Sequence, residues 1–141
     1  MKQRWPIRVY YEDTDSGGIV YYANYLKFLE RARTEYLRTL GFAQHELVET
    51  TGLAFAVRSM AVEYLKPAKL DDLLEVGTVI GELGRAQVTF VQSIHRADTL
   101  LLTATVRVAC LDLARGKAAA MPRNLHAKLS TQLSAKLEET T

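Results

Sequence analysis

The sequence predicts an α+β domain in which a long central helix is wrapped by a strongly twisted antiparallel sheet of about five strands. Two patterns predict it. From Asn24 onward, Tyr25, Leu29, Ala32, Tyr36 and Leu40 recur at the spacing of one helical face. After Gly52 the helical period vanishes until the tail, and the chain reads as long runs of strand period separated by short turns. Turns that short force antiparallel neighbours. The sheet must then cover the apolar face of the helix, and strong twist lets it curl around a single one. The 141 residues are enough for one core, so residues 1–141 are read as a single domain.

Each element has its own signal. Ile7, Val9 and Tyr11 alternate with Arg8, Tyr10 and Glu12, a strand that ends at Asp13 and Asp15. The helix that follows is about 17 residues, roughly 25 Å long at about 1.5 Å per residue. Asn24 is its expected N-cap and Gly41 its C-cap, with Lys27, Arg31, Thr34 and Arg38 on the polar face. Glu30, Arg31, Arg33, Glu35 and Arg38 read as solvated i, i+3 and i, i+4 pairs. Ala43 to Glu49 suggests a short second helix before Gly52. Leu53 to Leu65 is apolar on both faces and stops at Lys66-Pro67, where proline breaks pairing. Leu74, Val76, Thr78 and Ile80 share a face, and "GELGRA" turns the chain. Val88, Phe90 and Ile94 point inward on the next strand, "RADT" turns it, and Leu102, Ala104, Val106, Val108 and Cys110 line the last. Leu125, Leu129, Leu133 and Leu137 suggest a C-terminal helix from about residue 124 that frays into "EETT". Ala54, Ala56, Met60 and Val62 are expected on the outer face of the sheet, which argues for a second copy of the chain as partner.

Composition narrows the function. A hydrophobic share of 48%, a charged share of 24% and a net charge of +2 describe a globular chain with no basic stripe for a phosphate backbone. No run approaches the length of a membrane span, and "MKQRWPIRVYYEDTD" lacks the apolar core of a signal peptide, so the expected address is cytoplasmic. Cys110 stands alone and in phase with Val106 and Val108, which reads as a buried structural thiol. His45, His95 and His126 lie far apart without zinc-ligand spacing. No G-x-S-x-G elbow is present.

The most informative stretch is "YYEDTDSGGIVYYANYLKFLERARTEYLR". A carboxylate just before a helix N-terminus offers a base or nucleophile, and the free N–H groups of that terminus offer donors to a carbonyl oxygen. Gly17 and Gly18 let backbone approach a substrate closely. Taken alone, an Asp-x-Asp-x-Gly-Gly loop is more often a turn or capping device. Most of Tyr10, Tyr11, Tyr21, Tyr22 and Tyr25 read as core or interface packing.

This stretch, continued by "AFAVRSMAVEYLKPAKLDDLLEV", resembles the signature of the 4-hydroxybenzoyl-CoA thioesterase-like hotdog proteins, and within them the branch associated with the Tol-Pal system. The resemblance covers Arg8 to Leu113. It implies a hotdog fold, a homodimer or homotetramer with sites at the subunit interface, and hydrolysis of acyl-CoA without metal or organic cofactor. It places the catalytic carboxylate on Asp15, as general base or as nucleophile, and leaves Asp13 a structural role. Tol-Pal-associated members often carry histidine where this chain has Tyr22. Benzoyl-specific relatives carry tyrosine there and use its backbone N–H to polarise the thioester, the role implied for Tyr22. Gly17, Gly18, Ile19 and Val20 are the implied substrate-binding residues, with Arg58, Lys66 and Arg85 as candidates for the phosphates of coenzyme A. Acyl carrier protein is a further candidate partner. Two other classes stay open: a hotdog hydratase or dehydratase, disfavoured because no histidine lies in the loop or first helix, and a non-catalytic acyl-CoA binder or scaffold of the cell envelope.

Overall fold

A computed structural model describes residues 3–140, with side chains described for residues 4–133. In chain order the elements are β1 (Gln3–Arg8), a single 3₁₀ turn (Tyr11–Asp13), α1 (Asn24–Thr39), α2 (Gln44–Thr51), β2 (Leu53–Tyr64), β3 (Leu73–Leu83), β4 (Gln87–Arg96), β5 (Thr99–Asp112), β6 (Lys117–Ala118) and α3 (Arg123–Thr140). The sheet runs β1-β3-β4-β5-β2, with the two-residue β6 added beside β5, and every pairing is antiparallel. The α+β prediction holds: five principal strands enclose α1, whose Tyr25, Phe28, Leu29, Ala32, Tyr36 and Leu37 are buried against them. Leu74, Val76, Ile80, Val88, Phe90, Ile94, Leu102, Val106 and Val108 form the sheet's side of that core. Cys110 is buried in phase with them, and burial pushes its thiol pKa up. The helix α3 lies against β3 and buries Leu125 and Leu129; Leu137 lies outside the described side chains. Among the described residues no helix is long and apolar enough to cross a membrane.

Local chemistry corrects several expectations. The first strand stops at Arg8, and Tyr11, expected on its inward face, is exposed in the 3₁₀ turn. The cause is Asp13, whose Oδ2 accepts from the Tyr10 N–H at 2.8 Å and pulls the chain out of extended form. Asn24 does not cap α1. Ala23 occupies the N-cap position, and the Asn24 side chain turns back to Asp13. Leu40, not Gly41, is the C-cap of α1; Gly41, with φ +95°, is the left-handed residue just after it, and Gly52, with φ +72°, closes α2. Part of "GELGRA" belongs to β3, which runs through Gly81 to Leu83 and leaves only Gly84 to Ala86 as the turn.

The outer-face assignment of β2 is half right. A bulge between Val57 and Ser59 adds one residue, Arg58, and reverses the side-chain phase. Ahead of the bulge Leu53 and Phe55 pack on the core and Ala54 and Ala56 face outward, but beyond it Met60 and Val62 pack inward. Arg33 is also not on the solvated face. It is 7% exposed, with Nη1 donating to Gln92 Oε1 at 3.0 Å beneath the helix.

Candidate functional site

Two anchors build the loop between β1 and α1. Asp13 is 6% exposed, and besides Tyr10 it accepts from the Asn24 side-chain amide at 2.6 Å through Oδ1. Its backbone carbonyl accepts from the Tyr21 N–H at 3.1 Å. Asp13 therefore ties both ends of the loop together and is spent on structure. The second anchor is the segment from Pro67 to Leu70: Val20 N–H donates to the Ala68 carbonyl at 2.9 Å, and Leu70 N–H to the Gly18 carbonyl at 3.2 Å.

Asp15 sits at the tip of this clamped loop and is exposed. Its N–H donates to the Ile19 carbonyl at 2.9 Å, its carbonyl accepts from Gly18 at 3.1 Å, and its Oδ1 accepts from the Gly17 N–H at 2.8 Å. Oδ2 meets no donor among the described residues. Gly18 needs its φ of +79° for the turn. A carboxylate with one oxygen fixed and the other facing solvent can accept a proton or attack an electrophile.

At the start of α1, the Tyr22 N–H meets no acceptor among the described residues, while its carbonyl accepts from the Tyr64 hydroxyl at 3.0 Å. The Tyr25 hydroxyl accepts from the Ala68 N–H at 2.9 Å. Tyr22 and Tyr64 ring centroids lie 6.4 Å apart, and those of Tyr25 and Tyr64 5.6 Å apart. These rings help enclose a hollow of about 240 Å³ lined by Val20, Tyr22, Tyr25, Tyr64, Leu65, Lys66 and Pro67. Burial raises the pKa of Tyr25 and Tyr64, and the neighbouring Tyr22 hydroxyl raises that of Tyr21, so all three stay protonated at neutral pH. Tyr25 is buried, whereas Tyr10, Tyr11, Tyr21 and Tyr22 are exposed, so in the single chain packing does not account for those four.

One end of the molecule thus collects Asp15, Gly17, Gly18, Ile19, Val20, Tyr22 and Lys66. Arg58 and Arg85 are elsewhere. Arg58 donates to Gln87 Oε1 at 2.9 Å, and Arg85 lies in the β3–β4 turn, at the far end of the 11-residue β3 from the Asp15 loop. That is roughly 33 Å at about 3.3 Å per residue. There Arg85 shares a hollow of about 420 Å³ with Arg123 and His126 of α3. The sequence did not single out Arg123 or His126 as partners of Arg85; the Met121 N–H, donating to the Arg85 carbonyl at 2.8 Å, brings them there. Among the described residues no group of three His, Cys, Asp or Glu side chains is placed to hold a metal ion.

The sequence profile of the Thioesterase-like superfamily matches residues 9–129. An acyl-CoA thioesterase of Haemophilus influenzae, YbgC, is 53% identical over 123 residues, covering 87% of this chain and 90% of that protein. The acyl-CoA thioester hydrolase YbgC of Escherichia coli O6:H1 is 49% identical over 126 residues, covering 89% of this chain and 93% of that protein. The crystal structure of a probable thioesterase from Bartonella henselae superposes with a TM-score of 0.81 at 37% identity, covering 86% of this chain and all (100%) of that one. With the helix enclosed by a curled antiparallel sheet and these relatives, the chain belongs to the thioesterase-like superfamily and has its hotdog fold.

Proposed function

We propose that this thioesterase hydrolyses short- or medium-chain or aromatic acyl-CoA to the free acid and CoA. The observation that carries the reading is the pair at one end of the fold: the Asp15 carboxylate, held by Gly17 and open at Oδ2, and the Tyr22 N–H, which has no acceptor among the described residues. As general base, Asp15 removes a proton from water as the oxygen attacks the thioester carbon. As nucleophile, it forms a mixed anhydride that water then opens. In both routes negative charge collects on the carbonyl oxygen, where the Tyr22 N–H donates, and the CoA thiolate leaves and takes up a proton. The acyl-CoA activities named for the relatives from Haemophilus influenzae and Escherichia coli O6:H1 support this reading.

The active unit of the proposal is a homo-oligomer, a dimer or tetramer. Among the described residues β2 is an edge strand, with β5 on one side only. Antiparallel pairing of two β2 edges about a two-fold axis sets the Tyr64 end of one copy against the Leu53 end of the other. Arg58 and Arg85 of a second copy then approach the Asp15 end of the first, where Arg85 and Arg123 offer positive charge, and His126 a ring N–H, to the phosphates of CoA. A cytoplasmic address, acyl carrier protein as partner and the Tol-Pal association belong to the same proposal, the last resting on the sequence resemblance.

Thiol release from short-chain, long-chain and aromatic acyl-CoAs, with wild type and Asp15→Asn side by side, tests it. Turnover that collapses in Asp15→Asn is the expected result. Equal rates in both proteins would move the chemistry away from Asp15, and silence across the panel would favour a non-catalytic acyl-CoA binder.

A further inference from the structure

Between α1 and the sheet lies a third hollow, of about 220 Å³, walled by Phe55, Val57, Phe90 and Val108 and bordered by Glu30 and Arg33. A dry cavity of about 150 Å³ in another protein takes up benzene, so this one has room for a short acyl chain. Its unusual member is Arg33. The residue is 7% exposed, the one acceptor of its guanidinium among the described residues is Gln92 Oε1 at 3.0 Å, and no carboxylate lies within ion-pair distance of it there. Gln92 is itself fixed, its Nε2 donating to the Leu29 carbonyl and to Thr78 Oγ1, each at 3.0 Å. Ser93 Oγ is the one sealed side-chain polar atom without a partner among the described residues, so the remaining Arg33 N–H groups are not fully sealed, and Arg33 lines the hollow. Burial lowers the Arg33 pKa, and the Glu30 charge, which raises it, offsets that only in part.

We propose that this hollow receives the far end of the acyl group, and that Arg33 selects short acyl chains that end in a carboxylate, such as succinyl. The inference rests on the acyl-CoA reading above. Phe55 and Val57 belong to the half of β2 that the two-fold pairing sets against the Tyr22 end of a second copy. An acyl group with its thioester at that Tyr22 therefore points toward Arg33. The planar guanidinium fork matches a carboxylate, and an anion there offsets a buried charge that has no ion pair among the described residues and that Glu30 compensates only in part. Glu30 stands exposed at the mouth, one helical turn before Arg33, and opposes entry of an anion.

The test compares kcat/KM for succinyl-CoA and the equally long butyryl-CoA. Wild type should favour succinyl-CoA by about tenfold, the ratio expected of one charge-assisted hydrogen bond. Arg33→Met should abolish that preference, and Glu30→Gln should increase it. Because Arg33→Met leaves Gln92 Oε1 without its donor and risks the fold, calorimetry on the wild type with free succinate and the uncharged, equally long butyramide provides a second measurement. Succinate should bind about tenfold more tightly than butyramide. Equal use of the two thioesters, a preference that survives in folded Arg33→Met, or equal binding of succinate and butyramide would overturn the proposal. Succinate binding without thiol release from any acyl-CoA would remove the thioesterase reading and leave the carboxylate site standing. Thiol release from butyryl-CoA with no gain for succinyl-CoA would do the reverse.

Discussion

Asn24 Nδ2 lies 2.6 Å from Asp13 Oδ1, a buried hydrogen bond that joins the first residue of α1 to the loop that precedes it. Asn24→Ala leaves the Asp13 carboxylate with one fewer donor. Urea denaturation should show a loss of about 1–3 kcal/mol, the cost of an under-satisfied buried polar group. Asn24→Asp, which sets two carboxylates against each other, should be worse. Thiol release should fall in both, since Asp15 and Tyr22 share this anchor.

The two loop glycines should fail differently. A Cβ on Gly17 would stand 3.3 Å from Asp15 Oδ1, whereas one on Gly18 meets nothing within 4 Å, but φ there is +79°. Gly17→Ala should lower kcat for thiol release while leaving thermal stability near wild type. Gly18→Ala should cost about 1–2 kcal/mol of stability through its left-handed backbone. A Gly17→Ala enzyme with unchanged kcat would separate the Gly17 contact from catalysis.

Tyr64→Phe removes the hydroxyl that donates to the Tyr22 carbonyl at 3.0 Å and keeps the ring contacts with Tyr22 and Tyr25. Steady-state kinetics should show kcat down by about fivefold, near the worth of one hydrogen bond of about 1 kcal/mol, with the melting temperature little changed.

Acid should release the segment that clamps the Asp15 loop. Burial alone would raise the Asp72 pKa, but the Lys69 N–H at 2.8 Å and the Arg96 guanidinium at 2.8 Å outweigh it and hold the carboxyl below its ordinary value. A carboxyl depressed by folding stabilises the protein above its unfolded pKa and loses that contribution as pH falls through the folded value. Wild-type stability should therefore decline below about pH 4, and Asp72→Asn, less stable at neutral pH, should show a shallower decline. Urea midpoints measured from about pH 6 down to pH 3 would check this, and parallel curves would count against it.

Periodicity made the architecture legible, because the burial of α1 and of β3 to β5 follows from which residues share a face. The strand alternation through Tyr11 misled because one side chain, Asp13, captured the Tyr10 N–H and bent the backbone. The inward turn of Met60 and Val62 was hidden because the bulge at Arg58 leaves no signature in a run apolar on both faces. Asp15, Gly17, Gly18, Ile19, Val20 and Tyr22 stand on one loop as the sequence arranges them, and Lys66 joins them only through tertiary pairing. The contact of Arg33 with Gln92 and the grouping of Arg85 with Arg123 and His126 span long sequence separations, which a local pattern does not encode.

The length of β3 has a consequence for genetics. It keeps the Asp15 loop and Arg85 at opposite ends of each chain. In the proposed oligomer a chain damaged at one end still carries an intact other end. Asp15→Asn and Arg85→Ala, each impaired alone, should complement when co-expressed, because a hybrid pair reunites one sound thioester end with one sound phosphate end. A subunit acting alone could not show that behaviour.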